Sequence, residues 1–206
     1  MVVAPAVGSR TFPVRVEQGR TTDLGVLQLE PPSKLSVRLT SADRARTSQL
    51  RVVAKNVVGD KFVSTRSDAD GVARLRPLPP SDSKILVYGD AVAPVLLERA
   101  LEPGQQWIDV EVQAANPVRM SFPFALSENP FLINGPRHVR VFDDEDRLVL
   151  DDYLGATVSR GRFVMAVGLP AGDYRVRARA LWNALGEASF TVVDGQPTAL
   201  EVPLRL

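Results

Sequence analysis

Hydrophobic and polar residues alternate with a period of two along most of this chain. In Leu35-Ser-Val37-Arg-Leu39 the three apolar side chains share one face. In Tyr174-Arg-Val176-Arg-Ala178-Arg-Ala180 the apolar set faces one way and Arg175, Arg177 and Arg179 face the other. Leu200-Glu-Val202-Pro-Leu204-Arg-Leu206 closes the chain in the same style, and Trp107-Ile-Asp-Val110-Glu-Val112 does much the same, with Trp107 expected to point into the core. Strands of this kind bury one face and wet the other, as in antiparallel sandwiches. Helix signals are poor: the stretch 41–53 is the nearest approach to a short helix, and no capped amphipathic segment of ordinary length occurs. The pattern predicts strands near 35–39, 50–57, 61–66, 72–76, 84–88, 95–101 and 106–112. A second set falls near 117–125, 137–143, 147–153, 161–167, 174–181, 188–193 and 198–205.

The two sets are copies of one unit. A short strand, a glycine turn and an alternating strand recur around Gly19, Gly104 and Gly195, spaced 85 and 91 residues apart. A second block repeats at 91 residues: Asp70-Gly71-Val-Ala-Arg-Leu75-Arg-Pro-Leu78-Pro79 corresponds to Arg160-Gly161-Arg-Phe-Val164-Met-Ala-Val-Gly-Leu169-Pro170. A repeat of that length suits a seven-stranded sandwich. The predicted fold is all-β, with two tandem seven-stranded antiparallel Ig-like or prealbumin-like β-sandwich domains, 33–115 and 116–206. Residues 1–32 precede them, with an extra hairpin at 11–29 that reads as the end of a preceding repeat. The short joint Gln113-Ala-Ala-Asn-Pro117 predicts a semi-rigid connection.

The stretch Thr65-Arg-Ser-Asp68-Ala-Asp70-Gly71-Val-Ala-Arg-Leu75-Arg-Pro-Leu78-Pro79 resembles the carboxypeptidase regulatory-like family, whose domains share a prealbumin-like (transthyretin-like) sandwich with collagen-adhesin B repeats. The second unit matches the later half of that pattern in Gly168-Leu-Pro-Ala-Gly172-Asp-Tyr174-Arg-Val176, whereas the first lacks the glycine after Pro79-Pro80. The resemblance implies an all-β scaffold or binding role in large secreted or envelope proteins and transfers no catalytic residue. It also raises the Lys–Asn crosslink of collagen-adhesin-type domains. The second unit has no Lys, and the first has Lys34 near its start with Asn116 just past its end.

Composition narrows the chemistry. The 206 residues include no Cys, so disulfides, thiolate nucleophiles and Cys-ligated metals are excluded. With 25 Lys+Arg against 24 Asp+Glu the net charge is +1, which gives no long-range attraction to nucleic acid or anionic membranes. Of the cations 21 are Arg, scattered in a way that suits codon bias better than a binding cluster. No apolar run approaches the ~20 residues of a membrane span, and residues 1–10 lack the basic and apolar regions of a signal peptide. His138, the single histidine, reads as a solvated strand residue, and without a Gly-x-Ser-x-Gly elbow it forms no triad. Asp68 and Asp70 open like an EF-hand, but Pro79 stands where the bidentate Glu belongs. Asp143-Asp-Glu-Asp146 is a polar hairpin tip with calcium left open.

These readings predict a non-catalytic structural or adhesive β-sandwich array, extracellular or in the cell envelope as part of a longer chain. The alternative is a carbohydrate-binding accessory module of a larger enzyme. No cofactor and no metal site are expected. The partner is an unspecified protein or polysaccharide, with no nucleic acid and no membrane insertion. The candidate binding patch is Trp182 with Arg175, Arg177 and Arg179.

Overall fold

The computed structural model describes residues 2–4, 8–10, 14–15, 17–19, 21–26, 31–42, 45–57, 62–123, 136–152, 158–159, 162–180 and 185–205. These residues form strands and connections, with no helix among them. The first half holds β1 (Val2–Ala4), β2 (Gly8–Arg10), β3 (Ser33–Thr40), β4 (Arg51–Asn56), β5 (Phe62–Arg66), β6 (Val72–Arg74), β7 (Ser81–Gly89), β8 (Val92–Leu101) and β9 (Gly104–Glu111). The second holds β10 (Asn116–Pro123), β11 (Pro136–Asp143), β12 (Leu148–Asp152), β13 (Val158–Ser159), β14 (Arg162–Leu169), β15 (Gly172–Ala180), β16 (Leu185–Val192) and β17 (Thr198–Glu201).

One topology occurs twice. The sheets β6-β3-β9 and β5-β4-β7-β8 of the first half correspond strand for strand to β14-β10-β17 and β12-β11-β15-β16 of the second, with the short β13 added beside β14. Most pairs are antiparallel, as alternation predicts. In each half, however, the last strand returns beside the first and runs parallel to it, β9 along β3 and β17 along β10. The antiparallel expectation is corrected at these two pairs: the seventh strand arrives from the opposite sheet and enters in the first strand's direction. The three glycines that mark the repeat, Gly19, Gly104 and Gly195, have φ of 75°, 98° and 70°, a region that favours glycine at a turn. The extra hairpin is placed differently from its prediction. The N-terminal ladder pairs Val2–Ala4 with Gly8–Arg10, and the described residues of 11–29 contain a turn at Gln18-Gly19 and no strand.

Each half has its own core. Leu35, Val37 and Leu39 meet Val52, Ala54, Ile85 and Val87 in the first. Val118, Met120 and Phe122 meet Val139, Val141 and Val176 in the second. The sheet β5-β4-β7-β8 departs from simple alternation. Its consecutive residues Val52-Val53-Ala54 and Ile85-Leu86-Val87-Tyr88 are all buried, so both its faces are covered. Val52, Ala54, Ile85 and Val87 face their own sandwich, while Val53, Leu86 and Tyr88 join the core of the second. They pack where β7 and β8 meet β12 and β14. Burial of an aliphatic side chain such as Leu86 contributes about 1.5–3 kcal/mol.

Two further contacts fix this seam. The Tyr88 hydroxyl donates a 2.6 Å hydrogen bond to Oδ2 of Asp152, a residue with no solvent exposure. Burial, then the nearby Asp152 charge, raises the phenol far above its ordinary value of 10.0 and keeps it a donor. Gly168 of β14 lies against the backbone of Val92, where an added Cβ would sit 2.5 Å from the Val92 nitrogen and 2.6 Å from its oxygen. The joint is held as well: Ala93 N donates to Gln113 O at 2.9 Å and Ala115 N to Ala91 O at 3.0 Å.

Tyr88→Phe removes the donor that Asp152 Oδ2 now has and is expected to cost about 1–3 kcal/mol in urea unfolding. Gly168→Val should cost roughly 1–3 kcal/mol or more, because the backbone it strikes cannot turn aside. Unchanged unfolding midpoints in both variants would contradict the seam.

Candidate functional site

The predicted arginine row lies on the outer face of β12-β11-β15-β16. Register places Arg179 opposite His138 and Leu185, Arg177 opposite Arg140 and Glu187, and Arg175 opposite Phe142 and Ser189. Parity explains the arrangement: Val176 and Ala178 are buried in the core, so the odd-numbered residues must face out. Two guanidiniums lie over one ring, with Arg175 and Arg177 carbons 5.6 and 5.5 Å from the Phe142 centroid. Their charges are met within the sheet. Arg177 Nε is 3.1 Å from Glu187 Oε1, Arg175 Nε is 3.5 Å from the same oxygen, and Arg175 Nη2 also pairs with Asp146. Each exposed pair of this kind contributes about 0.2–1 kcal/mol.

The acidic hairpin tip repeats a device seen elsewhere in the fold. Asp143 Oδ1 accepts from Arg147 N at 2.9 Å and Glu145 N at 3.1 Å, and its Oδ2 takes Arg147 Nε at 2.8 Å. Asp68 does the same with Val72 N, Asp70 N and Arg74 Nη1. In both turns the fourth residue is left-handed, Gly71 at φ 74° and Asp146 at φ 62°, a pattern typical of aspartate-initiated turns. Asp143, Asp144, Asp146, Asp173 and Arg175 line an open cleft at this end of the sheet. Within it, Asp143 and Asp146 are bound to Arg147 and Arg175. Among the described residues, no group of three or more acids and histidines is arranged to hold a metal.

Several sequence expectations move. His138 is not a solvated strand residue: its side chain is 15% exposed, and Nε2 pairs with Asp151 Oδ1, which also lies 3.3 Å from Arg140 Nε. Trp107 does not point inward. It is 47% exposed, with the Arg38 guanidinium 5.3 Å from its ring, because Ile108 and Val110 face the core and assign odd positions of β9 to solvent. Trp182 lies outside the described residues. Tyr174, from the Gly-Leu-Pro-Ala-Gly-Asp-Tyr motif, packs against Phe190 and donates to Pro170 O at 3.1 Å, which locks the turn that starts β15. Asn116, the crosslink candidate, is otherwise engaged: its Oδ1 accepts from Gly195 N at 2.8 Å and its Nδ2 donates to Leu169 O at 3.4 Å. Sequence reasoning missed buried Asp152. The unbroken apolar run Ile85–Tyr88 signals the second packed layer that requires it.

Three carboxyls sit below their ordinary value of 3.8. Burial pushes Asp151 up, but the His138 hydrogen bond and charge, with Arg140, more than offset it. Burial likewise opposes the lowering of Asp143, which Arg147 enforces. Asp68 is lowered chiefly by the Val72 N–H, then by Arg74, against partial desolvation. As pH falls, the unfolded chain therefore takes up these protons before the folded one. Stability that is complete above the unfolded value is lost as pH drops through the lower native values. Asp151→Asn should lower the melting temperature at neutral pH, and its deficit against the parent should shrink at acid pH below 3.8, as Asp151 takes up its proton in the folded chain as well as in the unfolded one. An equal deficit at both pH values would contradict this.

No family model matches the chain, and no curated protein sequence matches it. Among solved structures it is similar to the Bacillus anthracis TIE protein, at 13% identity and TM-score 0.32, covering 85% of this chain and 34% of that one. It is similar to a candidate adhesin from Bacteroides ovatus, at 10% identity and TM-score 0.36, covering 91% and 95%. It is also similar to the streptococcal ancillary pilin, at 15% identity and TM-score 0.33, covering 84% and 62%. The chain thus spans about a third of the Bacillus protein and under two thirds of the pilin. Scores this low carry no functional information.

Proposed function

We propose that the chain is a non-catalytic structural or adhesive pair of β-sandwich units, 33–115 and 116–206, within a larger secreted or cell-envelope protein. The sandwiches are of the prealbumin-like kind that the carboxypeptidase regulatory-like motif suggests. One observation supports the reading: the sheet β5-β4-β7-β8 is buried on both faces, so the two units are coupled through a shared apolar seam and the Tyr88–Asp152 bond. A module that spaces or presents something gains from such coupling. The alternative, a carbohydrate-binding accessory module, calls for exposed rings side by side. The exposed aromatic residues among those described are Phe62 on β5 and Trp107 on β9, in different sheets. No helix among the described residues is long and apolar enough to cross a membrane.

The test is an immunoblot of fractionated source cells and medium with antibody against this chain, before and after protease treatment of intact cells. A band much larger than 22.4 kDa in the envelope or medium, and protease-sensitive on intact cells, is the expected result. A protected band in the cytoplasm would overturn the proposal.

A further inference from the structure

A second cleft, of about 600 Å³, opens between the two sandwiches beside the apolar seam. The start of β4, the end of β5, the turn before β4 and the β7–β8 hairpin form one wall, and the outer face of β10 and β14 forms the other. Among the described residues four arginines line it, Arg46, Arg51 and Arg66 from the first sandwich and Arg119 from the second, against one acid, Asp90. In a chain whose net charge is +1, this is a local excess that composition does not foretell.

These arginines differ from those of the outer sheet face. Arg175 and Arg177 are paired with Asp146 and Glu187, whereas Arg46, Arg51, Arg66 and Arg119 make no ion pair with any described residue. Arg46 Nε donates to Ser48 Oγ at 3.0 Å. Arg51 and Arg66 stand directly opposite each other on β4 and β5, an unfavourable arrangement for like charges unless something answers them. Arg51 Nε is shut away from solvent and meets no acceptor. The neighbouring Tyr88 hydroxyl donates its hydrogen bond to Asp152 and, keeping its proton, carries no negative charge to neutralise them.

We propose that this cleft binds a phosphate or sulfate group, free or esterified on a small sugar. Guanidinium forks match the oxygens of such an anion and bind it in pairs. The cleft volume falls within the range of small-ligand sites and exceeds the needs of a bare ion, which favours the group borne on a sugar. Both sandwiches contribute a cation, so occupancy would also strengthen the seam. The inference is independent of where the protein resides, so it stands or falls separately from the envelope assignment.

The test is calorimetric titration of the whole chain at low salt with inorganic sulfate, inorganic phosphate, a sulfated disaccharide and a neutral disaccharide. Sodium chloride at matched ionic strength serves as control. At least one of the three anionic probes should bind with a dissociation constant below about 1 mM. Arg66→Gln and Arg119→Gln, at exposed positions on opposite walls, should each weaken it about tenfold, the loss of one charge-assisted hydrogen bond, while Arg177→Gln leaves it unchanged. Tighter binding of the sulfated disaccharide than of sulfate would assign the anion to a glycan, and equal binding would assign it to the free ion. No saturable binding, heat reproduced by sodium chloride, or affinity unaltered in both cleft variants would overturn the proposal.

Discussion

A β-sheet that must bury both faces imposes order on everything around it. In β5-β4-β7-β8 one face closes the first sandwich, and the other carries Val53, Leu86 and Tyr88 into the second core. Water cannot satisfy a polar atom placed there, so Asp152 requires a protein donor, and the Tyr88 hydroxyl supplies one. The close approach also dictates glycine at 168, since any side chain would strike the backbone of Val92. The joint between the units follows from the same constraint. Its backbone is hydrogen-bonded to the β7–β8 hairpin, which removes the freedom that a five-residue linker would otherwise have.

Electrostatics divides the surface into two regimes. On the outer face of β12-β11-β15-β16, Arg140 and Arg177 stand side by side, but each has an acid on its other flank, Asp151 and Glu187. That arrangement organises side chains and leaves little field for a ligand. At the mouth of the seam, Arg46, Arg51, Arg66 and Arg119 line one cleft without an ion-pair partner among the described residues. The difference comes from register. Arg140 and Arg177 oppose each other, but each meets an acid on its other side, whereas Arg51 stands between Arg66 and the uncharged Tyr88.

Much of the fold was legible because parity is strict. The alternation in Leu35–Leu39 and Tyr174–Ala180 located strands to within a few residues, and the repeated glycine turns exposed the duplication. Trp107 shows how the same rule corrects intuition. Its bulk suggested the core, but Ile108 and Val110 had already claimed the inward positions. The parallel closure of each sandwich was not legible, since alternation carries no information about strand direction. The pairing of His138 with Asp151 joins residues on adjacent strands, and a single sequence does not set their register. The cleft was the least legible feature, because its arginines are scattered along the chain and Arg119 joins the other three only when two units dock.

The duplicated topology gives the docking a polarity. The sheet of the first unit that receives its neighbour, β5-β4-β7-β8, corresponds to β12-β11-β15-β16 in the second. In the first unit that face is apolar at Val53 and Leu86, whereas in the second it bears Arg140, Arg175, Arg177 and Glu187. A further copy stacking by the same contact would have to strip water from those ions without replacing their partners, at a cost of several kcal/mol per ion. Growth by simple translation of the interface therefore halts after one step. A further unit placed beyond the second must join it through some other surface.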